Sequence, residues 1–385
     1  MKPEESFQKV FPEGLIPVTD IDIRKLSGLH AEKSIYLSVY LPVSGRDSEH
    51  LNSVFTDTRV SAIRKVLPAQ LKADFEKTLR MAESSISEPV ISGERGRIIF
   101  ACHPESFLHI YRLAVEPGQW LVLDTSPFLL PLARLRADYE DYGVLLVDSQ
   151  EAKFTCIRSD IAQEKKHLST ELMNKHKKGG WSQMRFNHLR KEAIKSFLSE
   201  VADNVQGTCD QLPIRGIVVA GPGNAKQQLV ELLPRDVQQN VLGIVDLPMS
   251  VPRDELIEAG DTVLHENGHS RSKKWANELK SEILKGGLGV IGGEDVRKAL
   301  ENGRVSVLLI LKGTSLPGWK CESCRKSQAG DRPPEECSTC GGQVSAISFL
   351  EELHELARRT GAQVEFVEQE DFPGSDYVVG ALLRY

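Results

Sequence analysis

Ile35, Leu37, Val39 and Leu41 alternate with Tyr36, Ser38 and Tyr40 and stop at Pro42. That two-residue period predicts a strand. From Ser53 to Ile86 the spacing lengthens. Val54, Val60, Ile63, Val66, Leu71, Phe75, Leu79 and Met81 recur at helical intervals and predict one or two helices. Further strands are expected at Gly96–Cys102 and Leu108–Leu113, with Cys102 a packed thiol rather than a reactive one. The continuous apolar run Tyr142–Asp148 predicts a buried strand, with Ala152–Ile157 as its hairpin partner. Phe186, Leu189, Ala193, Phe197, Leu198 and Val201 then mark a long amphipathic helix.

Gly216–Gly223 reads as another buried strand running into a turn, and Lys226–Leu233 as the helix after it. Beyond these, helices are expected at Trp275–Leu284, at Glu294–Asn302 with Gly303 placed to stop it, and at Ile347–Arg359. Strands are expected at Arg304–Leu311 and Val364–Val367. Alternating strands and helices predict an α/β chain. We divide it into three units: an α/β unit over 1–138, a middle unit over 139–264 and a C-terminal α/β sandwich over 265–385.

Composition narrows the class. With 385 residues, 40% apolar and 26% charged, the chain has the balance of a soluble multidomain protein. No apolar run reaches the roughly 20 residues that span a bilayer, and Met1–Ser6 lacks the charged-then-apolar order of a signal peptide. A cytoplasmic protein with no membrane partner is expected. The net charge of −6 does not mark a nucleic-acid binder, so any RNA contact must be local. Lys165, Lys166, Lys175, Lys177, Lys178, Arg185, Arg190, Lys191 and Lys195 supply one basic stretch. It surrounds Gly179-Gly180-Trp181-Ser182-Gln183, where paired glycines allow close backbone approach. Such a tip suits entry into a crowded RNA site; a solvated loop before a helix is the plainer alternative.

Two CxxC pairs, Cys321/Cys324 and Cys337/Cys340, stand twelve residues apart. Each turn presents two thiolates, and together they form the four-sulfur set that zinc prefers. A structural Zn²⁺ ribbon over about 316–344 is expected. With all four positions filled by Cys, no open position remains for catalysis at the metal. Gly221-Pro222-Gly223 lacks both GxGxxG and P-loop patterns and is read as a tight turn. His265 and His269, around Glu266-Asn267-Gly268, are read as linker histidines.

At this point the chain resembles the class-1 peptide release factors of eukaryotes and archaea and their paralogue Pelota, specifically the divergent bacterial members of that family. Arg215–Lys226 is similar to the family's central strand and turn, Glu294–Gly303 to its third-domain helix and Gly380–Tyr385 to its last strand. The resemblance implies a three-domain release-factor-like architecture with a zinc-ribbon insertion in the C-terminal sandwich. It also implies the ribosome as partner, through rRNA and P-site tRNA, and a translational GTPase.

In that family a Gly-Gly-Gln tip promotes hydrolysis of peptidyl-tRNA. Gly179 and Gly180 match its glycines, and Ser182, Arg185 and Phe186 match the residues that follow. Trp181 stands where Gln is expected and Gln183 lies two positions later. The resemblance therefore implies Gly179, Gly180 and Gln183 as catalytic residues, with Lys175, Lys177, Lys178, Trp181, Arg185 and Arg190 on RNA. The family's Asn-Ile-Lys-Ser decoding loop has no counterpart, Ser61–Lys65 being a faint echo. Codon-independent ribosome rescue is the leading expectation. Non-enzymatic hibernation in the A site, with Trp181 stacking on rRNA, is the alternative.

Overall fold

In the computed structural model, which describes residues 12–29, 35–45, 48–170, 181–321, 323–324, 326–374 and 376–385, three separate sheets carry the chain and a small fourth one is inserted into the last. Helix α1 (Ile23–Ser27) is capped by Asp22, whose carboxylate accepts the Lys25 N–H at 3.0 Å. The alternating segment forms β1 (Tyr36–Pro42), followed by α2 (Ser48–Val66), α3 (Ala69–Ile86), β2 (Gly96–Cys102), β3 (Phe107–Leu113), β4 (Trp120–Asp124) and α4 (Leu130–Asp138). The order β3-β2-β1-β4 is antiparallel throughout and puts β1 inside the sheet. Leu37, Val39 and Leu41 face Phe75, Leu79 and Ala82 of α3, while Tyr40 faces Leu132 and Leu135 of α4. Both faces of β1 are thus covered, and Cys102 is packed as expected.

The second sheet contains β5 (Tyr142–Val147), β6 (Glu151–Arg158), β7 (Ile161–Ser169), then α5 (Trp181–Cys209), β8 (Ile217–Ala220), α6 (Ala225–Leu232), α7 (Arg235–Gln239) and β9 (Val241–Val245). Its order is β7-β6-β5-β8-β9, with β5, β6 and β7 antiparallel and β8 and β9 parallel to β5. The turn after β8 is structural. Gly221 has φ +148°, and a Cβ there would lie 1.9 Å from the Val147 carbonyl oxygen. Lys226, buried at 2% exposure, closes the turn by donating to the Gly223 carbonyl and to Asp246, each at 2.6 Å.

One helix, α8 (Arg253–Lys285), runs from this sheet to the next. The linker reading of His265 to His269 is therefore corrected, since these residues sit inside a 33-residue helix. The helix is anchored at both ends. Leu256 and Leu264 lie in the core of the second sheet, and Ala276 and Leu279 in that of the third. It ends at Gly286 in the left-handed conformation, φ +64°.

The third sheet is built from β10 (Gly289–Ile291), α9 (Gly293–Glu301), β11 (Val305–Leu311), the insertion β12 (Pro317–Cys321), β13 (Ser327–Ala329) and β14 (Val344–Ser348), then α10 (Phe349–Arg359), β15 (Gln363–Val367) and β16 (Val379–Leu383). The main order is β10-β16-β11-β15, and the insertion pairs as β13-β12-β14. Helices α9 and α10 cover one face and α8 the other. The expected helix from Ile347 begins two residues later, because Val344–Ser348 pairs with β12.

The first sheet's unit docks on both others. Its helix α4 is capped by a residue of α10: Glu351 accepts the Leu129 and Leu130 N–H groups at 2.8 and 2.7 Å. Ser126 Oγ donates to Glu355 at 3.0 Å. Arg158 of β6 bonds Asp141 at 2.6 Å and Asp20 at 2.5 Å.

Candidate functional site

Helix α5 divides into two halves. Phe197, Leu198, Val201, Ala202 and Val205 sink into the core with Leu145, Val147 and Phe154 of the sheet. From Arg185 to Ser196, by contrast, none of the described side chains is buried, and Leu189 is 42% exposed. At 1.5 Å per residue, residues 181–196 make a stalk about 24 Å long. An isolated helix of that length is marginal in water, so the buried C-terminal half holds it in shape. Arg185, Arg190, Lys191 and Lys195 lie along the stalk against one carboxylate, Glu192. His188 Nδ1 is 3.4 Å from that carboxylate.

The basic stretch read from the sequence is divided by the fold. Lys165 and Lys166 belong to β7, where Lys166 donates to Asn204 of α5 and burial holds Lys165 below the usual lysine range. Trp181 and Gln183 lie in the first turn of α5 rather than in a loop. The first-turn N–H groups of a helix have no partner within it, and its N-terminal end is the positive end of its dipole. Gly179, Gly180, Lys175, Lys177 and Lys178 fall outside the described residues.

The four cysteines come together at the end of the inserted sheet. Their sulfurs all lie within 4.8 Å of one another, with Cys321–Cys340 at 3.5 Å and Cys324–Cys337 at 3.6 Å. A tetrahedral site with metal–sulfur bonds of about 2.3 Å needs sulfurs roughly 3.8 Å apart. The cluster can therefore hold a metal ion with little movement. Backbone N–H groups of Cys324 and Thr339 point at Cys321 Sγ and Cys337 Sγ at 3.4 and 3.5 Å. The Thr339 amide, ahead of the other donors, brings the Cys337 thiol down to about 6. At Cys340 the Gly342 amide favours the thiolate, but Cys321 and Cys324 outweigh it and push the thiol up to about 12. Crowded thiolates of this kind are stabilised by a cation. Gly342 leaves room for the cradle, since a Cβ there would lie 2.5 Å from Ser323 Oγ and 3.3 Å from Cys321 Sγ. The inserted sheet is tied down by Glu294, which accepts the Ala329 N–H at 3.0 Å, and by Lys320 on Glu352.

A basic helical stalk raised from the second sheet and a four-cysteine cluster set in the third are the chemistry-bearing features of this α/β chain. Residues 127–263 match the model of bacterial archaeo-eukaryotic release factor family 10. The chain is 29% identical over 285 residues to peptide chain release factor subunit 1 of Archaeoglobus fulgidus, covering 68% of this chain and 70% of that one. Among solved structures it is similar to ribosome-bound archaeal Pelota with ABCE1, at 17% identity, 94% and 93% coverage and TM-score 0.38. It is also similar to Saccharomyces cerevisiae Dom34, a translation termination-like factor that interacts with Hbs1, at 11% identity, 75% and 81% coverage and TM-score 0.38. The chain is thus similar in sequence to archaeal peptide chain release factor subunit 1 over about two thirds of the length of each.

Proposed function

We propose that this protein is a cytoplasmic, ribosome-binding translation factor that hydrolyses peptidyl-tRNA without reading a codon. The observation that carries the reading is the stalk, four cations on a solvated helix that leads to Gly179 and Gly180. In this reading Arg185, Arg190 and the lysines Lys175, Lys177 and Lys178 bind rRNA phosphates, and the glycines let the backbone approach P-site tRNA. Gln183 positions a water against the ester carbonyl. Placement of water accounts for the chemistry, since the rRNA site already surrounds the reacting group. Zn²⁺ is the ion that the four thiolates favour, in a structural role. A translational GTPase is the expected partner, by analogy with the Dom34 interaction with Hbs1.

Peptide release from ribosomes carrying labelled peptidyl-tRNA and an empty A site tests the reading. Release by the wild type that Gln183→Ala abolishes and Trp181→Ala leaves in place is the expected result. Tight binding with the peptide still attached would overturn it. That outcome would favour A-site occupancy of idle ribosomes, the hibernation reading, which Trp181 in the position of the family's Gln supports.

A second expectation follows from the charges on the stalk. Ribosome affinity falls steeply with salt, and replacing Arg190, Lys191 and Lys195 together with Ala flattens the slope. Each phosphate left without its cation changes the slope of log K against log salt by on the order of one unit. Equal slopes for variant and wild type in a sedimentation assay would remove the stalk from the RNA interface.

A further inference from the structure

A cleft of about 630 Å³ lies between α1, α4 and α10, where the first sheet's unit meets the third's. Arg24 and Arg136 line it from one side, and Arg358 and His354 from the other. Two of these groups lack what burial ordinarily demands. Arg358 Nε and His354 Nδ1 are buried without a hydrogen-bond partner, and His354 as a whole is 1% exposed. Buried polar atoms are nearly always paired, so two orphans in side chains that line one cleft mark a wall short of acceptors.

Charge points the same way. Among the described residues neither Arg24 nor Arg358 forms an ion pair, and Arg136 reaches only the Ile21 carbonyl at 3.3 Å. The cleft has two carboxylates, and both have other partners: Asp20 bonds Arg158, and Asp22 caps α1. Burial, then Arg136 and Arg24, hold Arg358 below the usual arginine range. Burial, then Arg358 and Arg134, bring His354 down to about 3. His354 is therefore neutral, and in the tautomer with its proton on Nδ1 it is a donor. Three guanidinium groups line a space within the size range of small-molecule sites, with the neutral imidazole of His354 in its wall.

We infer that this cleft binds a phosphate-bearing ligand of nucleotide size, gripped by Arg24 and Arg136 from one unit and by Arg358 from the other. The ligand bridges the two units and tightens their docking. Guanidinium–phosphate pairs are charge-assisted and often bidentate. Removing one costs roughly 1.5–3 kcal/mol, about ten- to a hundredfold in affinity. The inference stands apart from the stalk and from peptide hydrolysis.

Calorimetric titration of the full chain with pyrophosphate, with GDP and with a short single-stranded RNA tests it. Saturable binding is expected, weakened at least about tenfold by Arg24→Gln and by Arg358→Gln. Arg24 is exposed, so its variant keeps the fold intact. Asp22→Asn, which retains a capping side chain while removing a negative charge, tightens binding. Binding of pyrophosphate and GDP identifies a free nucleotide as the source; binding confined to RNA, and lost in Arg24→Gln, identifies strand phosphates. No saturable binding of any probe, or binding indifferent to both arginine variants, overturns the proposal.

Discussion

Cys337→Ser empties the four-cysteine cluster of metal and unfolds the inserted sheet. The small cluster of buried residues there is Trp319, Cys321 and Cys337, with Val344 beside it. Leu316, Ala329 and Ile347 pack the base of the insertion on the third sheet's core, but so little apolar area at the cysteine end cannot order that end by itself. In the proposed reading a bound metal supplies the difference, structural zinc sites contributing on the order of 10 kcal/mol. Cys337 is also the sulfur whose thiolate the local amides favour most clearly, so its loss removes the best ligand. Metal analysis should find one equivalent in the wild type and none in the variant. Limited proteolysis should cut the variant between β12 and β14 while the three large sheets resist. A variant that kept its metal, or a wild type that never held any, would refute the assignment.

Glu351→Ala loosens the docking of the first unit on the third, by on the order of 2–5 kcal/mol. The carboxyl group is buried and is the acceptor for two N–H groups at the start of α4. Removing it strands both. Its titration gives a second signature. Burial above all, with Glu355 and Asp124 adding to it against the two amides, raises Glu351 to about 8. The folded protein therefore holds this proton when the unfolded chain, with a carboxyl near 4.3, has released it. Stability from this group is greatest below about 4.3, falls as pH rises to about 8 and is level above that. Asp124, raised by burial to about 6, adds to the fall in the lower part of that window. Glu351→Gln cannot ionise, so urea unfolding of that variant between about pH 5 and pH 8 should show a flatter dependence on pH than the wild type. Parallel curves would mean that Glu351 is charged throughout.

The central strands β1, β2, β5, β8 and β11 could be read from the sequence because their cores are apolar in a simple period. Val144 to Val147 and Val307 to Leu311 are buried on both faces, and such strands are written as continuous runs. The cysteine cluster was legible from spacing alone. Strands β4, β9 and β10 were not, nor was β7, where Gln163 to His167 are all polar and only Gln163 is buried. Of helix α8 only Trp275–Leu284 was read, and the part before it was hidden for a related reason. Its buried residues are few and divided between two cores, so no single apolar stripe runs along it. Glu351 and Arg358 look like surface charges of an amphipathic helix, and the docking of another unit buries Glu351 and covers part of Arg358. The described part of the stalk shows the limit clearly: helical spacing after Phe186 was evident, but the helix already including Trp181 and Gln183 was not.

Helix α8 also sets how the molecule can deform. At about 50 Å, it has one end set in the second sheet's core and the other in the third's. Bending between those units would break backbone hydrogen bonds in an unbroken helix, whereas the first unit is held mainly by side-chain bonds across a seam. The molecule thus has a stiff spine with one detachable limb. A force applied at the stalk is carried along the spine as a rotation of the second and third units together, and the place where it is relieved is the seam at Glu351.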